Sequence, residues 1–217
     1  MENQKYLVQM YKLLIKFNFK LAFFLTLIFS YFFLTITNAE NNHKIVLLVN
    51  EEIITSYDIL QRMKITSIVM QVEINDVNSL KIQNQIVDEL VDEKIQNEKL
   101  KEYGITVSSE DIDDYELSYF KQTDTTKEAV YNALTVNKIN TEIFRNMIAV
   151  QIGWNRLVSG LYYRLISVSD MEIEEIINLD SSISKERAYD IVRDRQISIK
   201  ANKYLRDLKT ASTIEYR

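Results

Sequence analysis

The spacing of apolar residues divides the chain into a β-prone opening, a long helical middle and a β-prone tail. Residues 45–55 read IVLLVNEEIIT, in which two β-branched runs flank Asn50-Glu51, the pattern of a strand, a turn and a second strand. The turn lacks Asn-Gly, the pair that best supports such hairpins. Thr55 or Ser56 then caps a helix with Ile59, Leu60 and Met63 on one side. Over 80–103, Ile82, Ile86 and Leu90 recur at every fourth position, and Val87, Val91 and Ile95 form a parallel ridge. Two ridges make a wide buried stripe. Gly104 follows as the residue that ends the helix in a left-handed conformation.

Ser108 with Asp111 is a capping box opening a helix that carries Ile112, Tyr115, Tyr119 and Phe120. A short helix near 126–134 carries Val130, Tyr131 and Leu134. Residues 141–166 hold the longest pattern: Ile143, Met147, Val150, Trp154, Leu157 and Leu161 alternate spacings of four and three, with Phe144, Ile148, Val158 and Tyr162 beside them. Gly153 and Gly160 fall inside this pattern, where close packing at the first and a bend near the second are expected. Ser169 and Glu172 form another capping box for a helix near 170–178, the stretch 179–184 reads as a loop, and Ser184 caps a final helix to about Leu208 with Ile197, Ala201, Tyr204 and Leu208 at heptad spacing. The tail 212–216 alternates as a strand does. A lone terminal strand is not stable in water, so this tail is expected to pair with the 45–55 strands and bring the two ends together. The fold expected is mostly α, a helical module with a small sheet formed by N- and C-terminal strands.

The segment before residue 40 has a different character. Residues 1–20 carry Lys5, Lys12, Lys16 and Lys20 against Glu2, residues 21–36 are uncharged and apolar or hydroxylic, and Thr37-Asn38-Ala39 precedes a polar run. This is the order of a secretory signal peptide cleaved after Ala39, and the sixteen-residue apolar stretch is short of the ~20 residues a spanning helix needs. An uncleaved inner-membrane anchor is the competing reading, because Phe17 and Phe19 extend the stretch. The expected organisation is therefore an export segment over 1–39 and one domain over 40–217, with a helical part at 40–178 and a closing helix and strand at 185–217.

Composition removes several function classes. Residues 40–217 hold 22 basic against 30 acidic side chains, which disfavours nucleic acid and anionic lipid because phosphate contacts need clustered Lys and Arg. With no Cys and a single His, His43, nitrogen and sulfur metal sites lack donors. Asp88, Glu89, Asp92 and Glu93 cluster on one helix and Asp111, Asp113 and Asp114 on another, but without a calcium-loop pattern, and read as solvated faces. No catalytic residue and no cofactor is expected. There is no Pro and there are 3 Gly, where average usage gives about 11 and about 15, consistent with long uninterrupted helices.

The order of elements resembles the SurA-type periplasmic chaperones. IVLLVNEEIITSYDILQR is similar to the family's opening, QIVDELVDEKIQNEKLKEYGITVSSEDID to its next signature, FRNMIAVQIGWNRLV with ISVSDMEIEEII to the helix and capped start that close the N-terminal domain, and YLRDLKTASTIEYR to its last helix and strand. The resemblance spans nearly all of 45–217. It departs in one respect: full-length members carry parvulin-type prolyl isomerase domains before the last helix, and here a short loop between Glu175 and Ser184 leaves no room for one. The resemblance implies an ATP-independent periplasmic chaperone of a Gram-negative envelope, not an enzyme, whose partners are unfolded polypeptides, outer-membrane β-barrels foremost. A chaperone of that kind needs adaptable apolar surface, and Met63, Tyr115, Tyr119, Phe120, Tyr131, Phe144 and Tyr162 are the candidates for peptide contact, with Met147 and Trp154 assigned to the core. The rival reading is a membrane-anchored structural or adaptor subunit that binds one folded partner, with contact to the membrane only if the N-terminal helix is uncleaved.

Overall fold

Hydrogen bonds that the sequence places at element ends fix the architecture. The structure is a computed structural model and describes residues 43–217, which form one compact unit; the expected export segment and cleavage site lie outside the described residues. The elements run β1 (Ile45–Val49), β2 (Glu52–Thr55), α1 (Ser56–Met70), α2 (Ser79–Glu102), α3 (Ser109–Phe120), α4 (Lys127–Val136), α5 (Thr141–Tyr162), a 3₁₀ turn (Tyr163–Leu165), α6 (Asp170–Leu179), α7 (Lys185–Ala211) and β3 (Ile214–Tyr216). Thr55, Ser108 and Ser169 each close a capping box, with Asp58, Asp111 and Glu172 as the returning acids. At the end of α2, Gly104 takes φ of +63°, its N–H bonds the Lys101 carbonyl and the Ile105 N–H bonds the Leu100 carbonyl. This satisfies the last carbonyls of the helix as a Schellman motif does.

The tail does join the opening strands. The sheet order is β2-β1-β3, antiparallel throughout, with Leu48 opposite both Ile53 and Glu215. Asn50 holds this junction. It accepts the αL conformation at φ of +52°, which Asn tolerates better than most residues. Its N–H donates to the Thr213 carbonyl at 2.8 Å and its Oδ1 accepts from the Thr213 N–H at 2.9 Å. Its Nδ2 donates to Glu98 on α2 at 2.7 Å. One side chain thus ties the hairpin, the tail and the second helix.

Three apolar clusters lie along the long helices. The first joins Leu47, Val49 and Ile54 of the sheet to Ile59 of α1 and Ile86, Leu90, Val91 and Ile95 of α2. The second gathers Ile65, Ile112, Val130, Leu134, Phe144 and Ile148 from α1, α3, α4 and α5. The third joins Leu100, Trp154, Leu157 and Val158 to Ile197 and Ala201 of α7. Helix α5 crosses α2 closely at Gly153, where a Cβ would sit 2.6 Å from Leu100 Cδ1; nothing lies near Gly160, and the helix continues through it to Tyr162. One expectation for α1 is corrected. Leu60 is 49% exposed, and the buried positions are Ile59, Gln61, Arg62 and Ile65. The inward face of α1 is partly polar because Arg62 pairs there with Glu93 of α2.

Asn50→Ala removes both the αL tolerance and the side-chain bonds, and is expected to lower stability by about 2–3 kcal/mol in urea unfolding. Asn50→Gly keeps the backbone conformation and is expected to lose less; equal losses would show that the backbone conformation does not matter.

Candidate functional site

Helix α3 presents aromatic residues on two adjoining sides because Tyr115, Tyr119 and Phe120 follow one another at spacings of four and one. Tyr115 and Tyr119 lie nearly parallel with ring centres 6.4 Å apart, and Phe120 meets Tyr119 edge-on at 5.2 Å. They form one wall of a groove of about 410 Å³. Phe144, Met147 and Ile148 of α5 form its floor, Val69 and Met70 of α1 close one end, and Glu89, Asp92 and Glu93 of α2 form the acidic opposite wall. Met70 is 68% and Tyr115 37% exposed, so flexible and aromatic apolar surface reaches the mouth.

The wall is anchored from behind. Glu116, one residue after Tyr115, is fully buried. The Tyr131 hydroxyl of α4 donates to its Oε1, Lys127 Nζ of α4 lies 2.6 Å from its Oε2, and Arg145 Nη1 of α5 lies 3.4 Å from the same oxygen. Arg145 also donates to Asp113 at 2.9 Å. The hydrogen bond from Lys127 to Glu116 raises the Lys127 pKa. Burial, then the hydrogen bond with Glu116, pushes the Tyr131 hydroxyl up. Arg145, followed by Lys127, holds the Asp113 carboxyl below the usual carboxylate range. Asp111 is held lower still, first by Arg156 of α5 and then by its own cap residue Ser108.

Of the residues singled out in the sequence, Tyr115, Tyr119, Phe120 and Phe144 line this groove together. The other three lie elsewhere. Met63 packs against the sheet cluster, Tyr131 serves Glu116 from beneath, and Tyr162 meets Tyr204 edge-on at 6.2 Å in the third cluster. Met147 lines the groove while also packing on the second cluster, so its assignment to the core describes only part of its role. Trp154 is buried and stacks on Tyr204 at 5.8 Å. Arg62, Glu116 and Met70 were not singled out; only their place in the fold brings them here.

The acidic clusters are less solvated than their helical spacing suggests. Asp92 pairs with Lys209 at 2.9 Å, Glu93 with Arg62, Asp113 with Lys127 and Arg145, and Asp111 with Arg156. Among the described residues, no three His, Cys, Asp or Glu side chains converge as a metal ion requires.

A family model described as the SurA-like N-terminal domain matches residues 10–158. A solved chain from the study of PEB4 and Cj1289, described as two structurally related SurA-like chaperones of Campylobacter jejuni, is 22% identical with a TM-score of 0.34. That match covers 64% of this chain and 50% of the solved one, so this chain spans about half of that relative's length. No curated protein matches the sequence.

Two measurements probe the anchor behind the aromatic wall. Glu116→Ala leaves the Tyr131 hydroxyl without its acceptor, while Lys127 and Arg145 keep Asp113, and is expected to cost about 1–3 kcal/mol in urea unfolding; a loss under about 0.5 kcal/mol would mean that the network does not fix α3. The acid limb of stability has a defined sign. Asp111 and Asp113 titrate lower in the folded chain than the ~3.9 of an unfolded aspartate. Their contribution is therefore present above that value and lost as pH falls through their folded values. Thermal midpoints should fall below about pH 4, and the paired change Asp111→Asn, Asp113→Asn should lessen that fall.

Proposed function

The chain belongs to the SurA-like N-terminal domain family, and from that premise we propose that it is an ATP-independent holdase chaperone of the periplasm, exported by residues 1–39 and binding unfolded envelope proteins, outer-membrane β-barrels foremost. The observation that carries the reading is the groove whose walls are Tyr115, Tyr119 and Phe120 on α3 and whose floor includes Met147 on α5, with Met70 at its mouth. Aromatic and thioether side chains bury large area with little demand for one geometry, which suits a site for many sequences. Monomeric proteins rarely leave contiguous apolar surface open without a binding role. Glu89, the acid of the α2 wall without a cation partner among the described residues, adds repulsion against acidic segments and favours the weakly charged, aromatic-rich strands of a barrel.

Binding in such a site needs neither nucleotide nor covalent chemistry. Apolar client residues leave water on entering the groove, at roughly 25 cal/mol per Å² buried, and the cost of ordering an extended chain keeps the net affinity modest. Modest affinity is what a holdase requires, because the client must leave to fold. The loop Asp180–Ser184 between α6 and α7 carries no inserted domain, and the proposed role includes no prolyl isomerisation.

The test is suppression of aggregation of a urea-unfolded barrel protein diluted with stoichiometric chaperone. The native protein should slow light scattering, and Tyr115→Ser combined with Tyr119→Ser should weaken binding of the client about tenfold while leaving the fold intact, as two partly exposed rings together contribute about 1–2 kcal/mol. No protection by the native protein would sink the holdase reading and favour an adaptor for one folded partner.

A further inference from the structure

The aromatic groove does not end at its polar edge. Gln96 of α2 and Gln151 of α5 line it and equally line a second hollow of about 640 Å³ between α2, α5 and α7. The two hollows therefore adjoin at this pair of amides, with a change of chemistry across it. Beyond it the floor is apolar and low. Trp154 and Val158 of α5 and Ile197 of α7 are buried, and Ala201 contributes only a methyl group. The rims are amides and hydroxyls: Asn155 and Ser159 on α5 face Ser198 and Asn202 on α7. Gln151 donates to Asn155 at 3.2 Å. Ser198 turns its hydroxyl back to the Asp194 carbonyl at 2.9 Å. The side chains of Gln96, Ser159 and Asn202 have no hydrogen-bond partner among the described residues.

Amide side chains carry a donor and an acceptor at once. A row of them on both sides of a trough matches the alternating N–H and C=O groups of an extended peptide, whatever its side chains. Charged side chains are sparse here, with Asp194 the one acidic or basic residue in the lining among the described residues, so the trough selects little by charge. Resting on the reading of the aromatic groove as the client site, we propose that the amide-lined trough is its continuation and binds the main chain of the same extended client by hydrogen bonds. The crevice is then bipartite: the α3 end takes apolar side chains, and the α7 end holds the backbone that follows. Recognition of main chain explains how one site can serve clients whose polar stretches share no sequence.

The experiment compares fluorescent peptides binding to the protein purified as its host exports it. One peptide has an aromatic half followed by a Ser/Ala half. A second has the same side chains, with the backbone amides of the Ser/Ala half replaced by esters, which removes the N–H donors and keeps the extended shape. A third is the aromatic half alone. The ester peptide is expected to bind about tenfold more weakly than its amide parent, close to the aromatic half alone. In the variant Asn155→Leu, Asn202→Leu that difference is expected to vanish. Equal affinity of amide and ester peptides overturns the proposal while leaving the aromatic groove as a binding site. A difference that survives in the variant overturns the assignment to this trough. Failure of all three peptides, the aromatic half included, removes the groove reading itself and the extension with it.

Discussion

Glu116 is a carboxylate with no access to water, and the geometry of the aromatic wall depends on how its charge is answered. A buried carboxylate without a partner is strongly destabilising. Here Lys127, Arg145 and Tyr131 converge on it from two other helices. The same helix carries Tyr115 immediately before Glu116 and Tyr119 three residues after it. Fixing the carboxylate therefore fixes the turn of α3 from which the rings project. An apolar residue in place of Glu116 would remove the buried carboxylate that Lys127, Arg145 and Tyr131 answer, and with it the charge that penalises slippage of α3 against α4 and α5. In this arrangement polar satisfaction sets position, while apolar burial in the neighbouring cluster supplies most of the stability.

That division of labour accounts for how an aromatic groove stays open on a stable module. The three apolar clusters bury the sheet and the inward ridges of α2, α5 and α7. Tyr115 and Tyr119 of α3 stand outside that core, while Ile112 and Phe120 pack on the second cluster and the ion pairs of Glu116 and Asp113 help hold the helix in place. Rings and methionines remain at a groove mouth without the helix collapsing onto its neighbours. The acidic wall is similarly restrained. Arg62 and Lys209 take up Glu93 and Asp92, whereas Glu89 accepts a hydrogen bond from Gln85 and has no cation partner among the described residues.

The closure of the chain ends is the second constraint. A three-residue strand has little stability of its own, yet β3 is held by backbone pairing to β1 and by the two hydrogen bonds exchanged between Asn50 and Thr213. Because α7 leads directly into β3, this anchor also sets the position of Ile197, Ala201 and Asn202 against α5. The sheet at one end thus shapes the polar trough along the helices.

Sequence alone determined the features that depend on near neighbours. Capping boxes at Ser108 and Ser169, a cap at Thr55 or Ser56, the left-handed stop at Gly104, the ridges of α2 and α5, and the tail strand were legible because their physics acts within a few residues or through simple periodicity. Tyr115, Tyr119 and Phe120 line one groove because their spacing on a single helix is visible in the sequence, and Phe144 joins them from α5. What the sequence left open is which element each face meets. Periodicity shows that α1 has an apolar side, but not that Leu60 lies outside it and that Arg62 is buried against Glu93. It marks Tyr131 and Tyr162 as aromatic, but not that one answers Glu116 and the other packs on Tyr204. It shows acidic clusters, but not their cations, which stand 29 or more positions away for Glu116 with Arg145, Glu93 with Arg62 and Asp111 with Arg156. Those pairings, and the meeting of two hollows at Gln96 and Gln151, were decided only by the tertiary structure, because they arise where separate helices cross and no local interaction encodes the crossing.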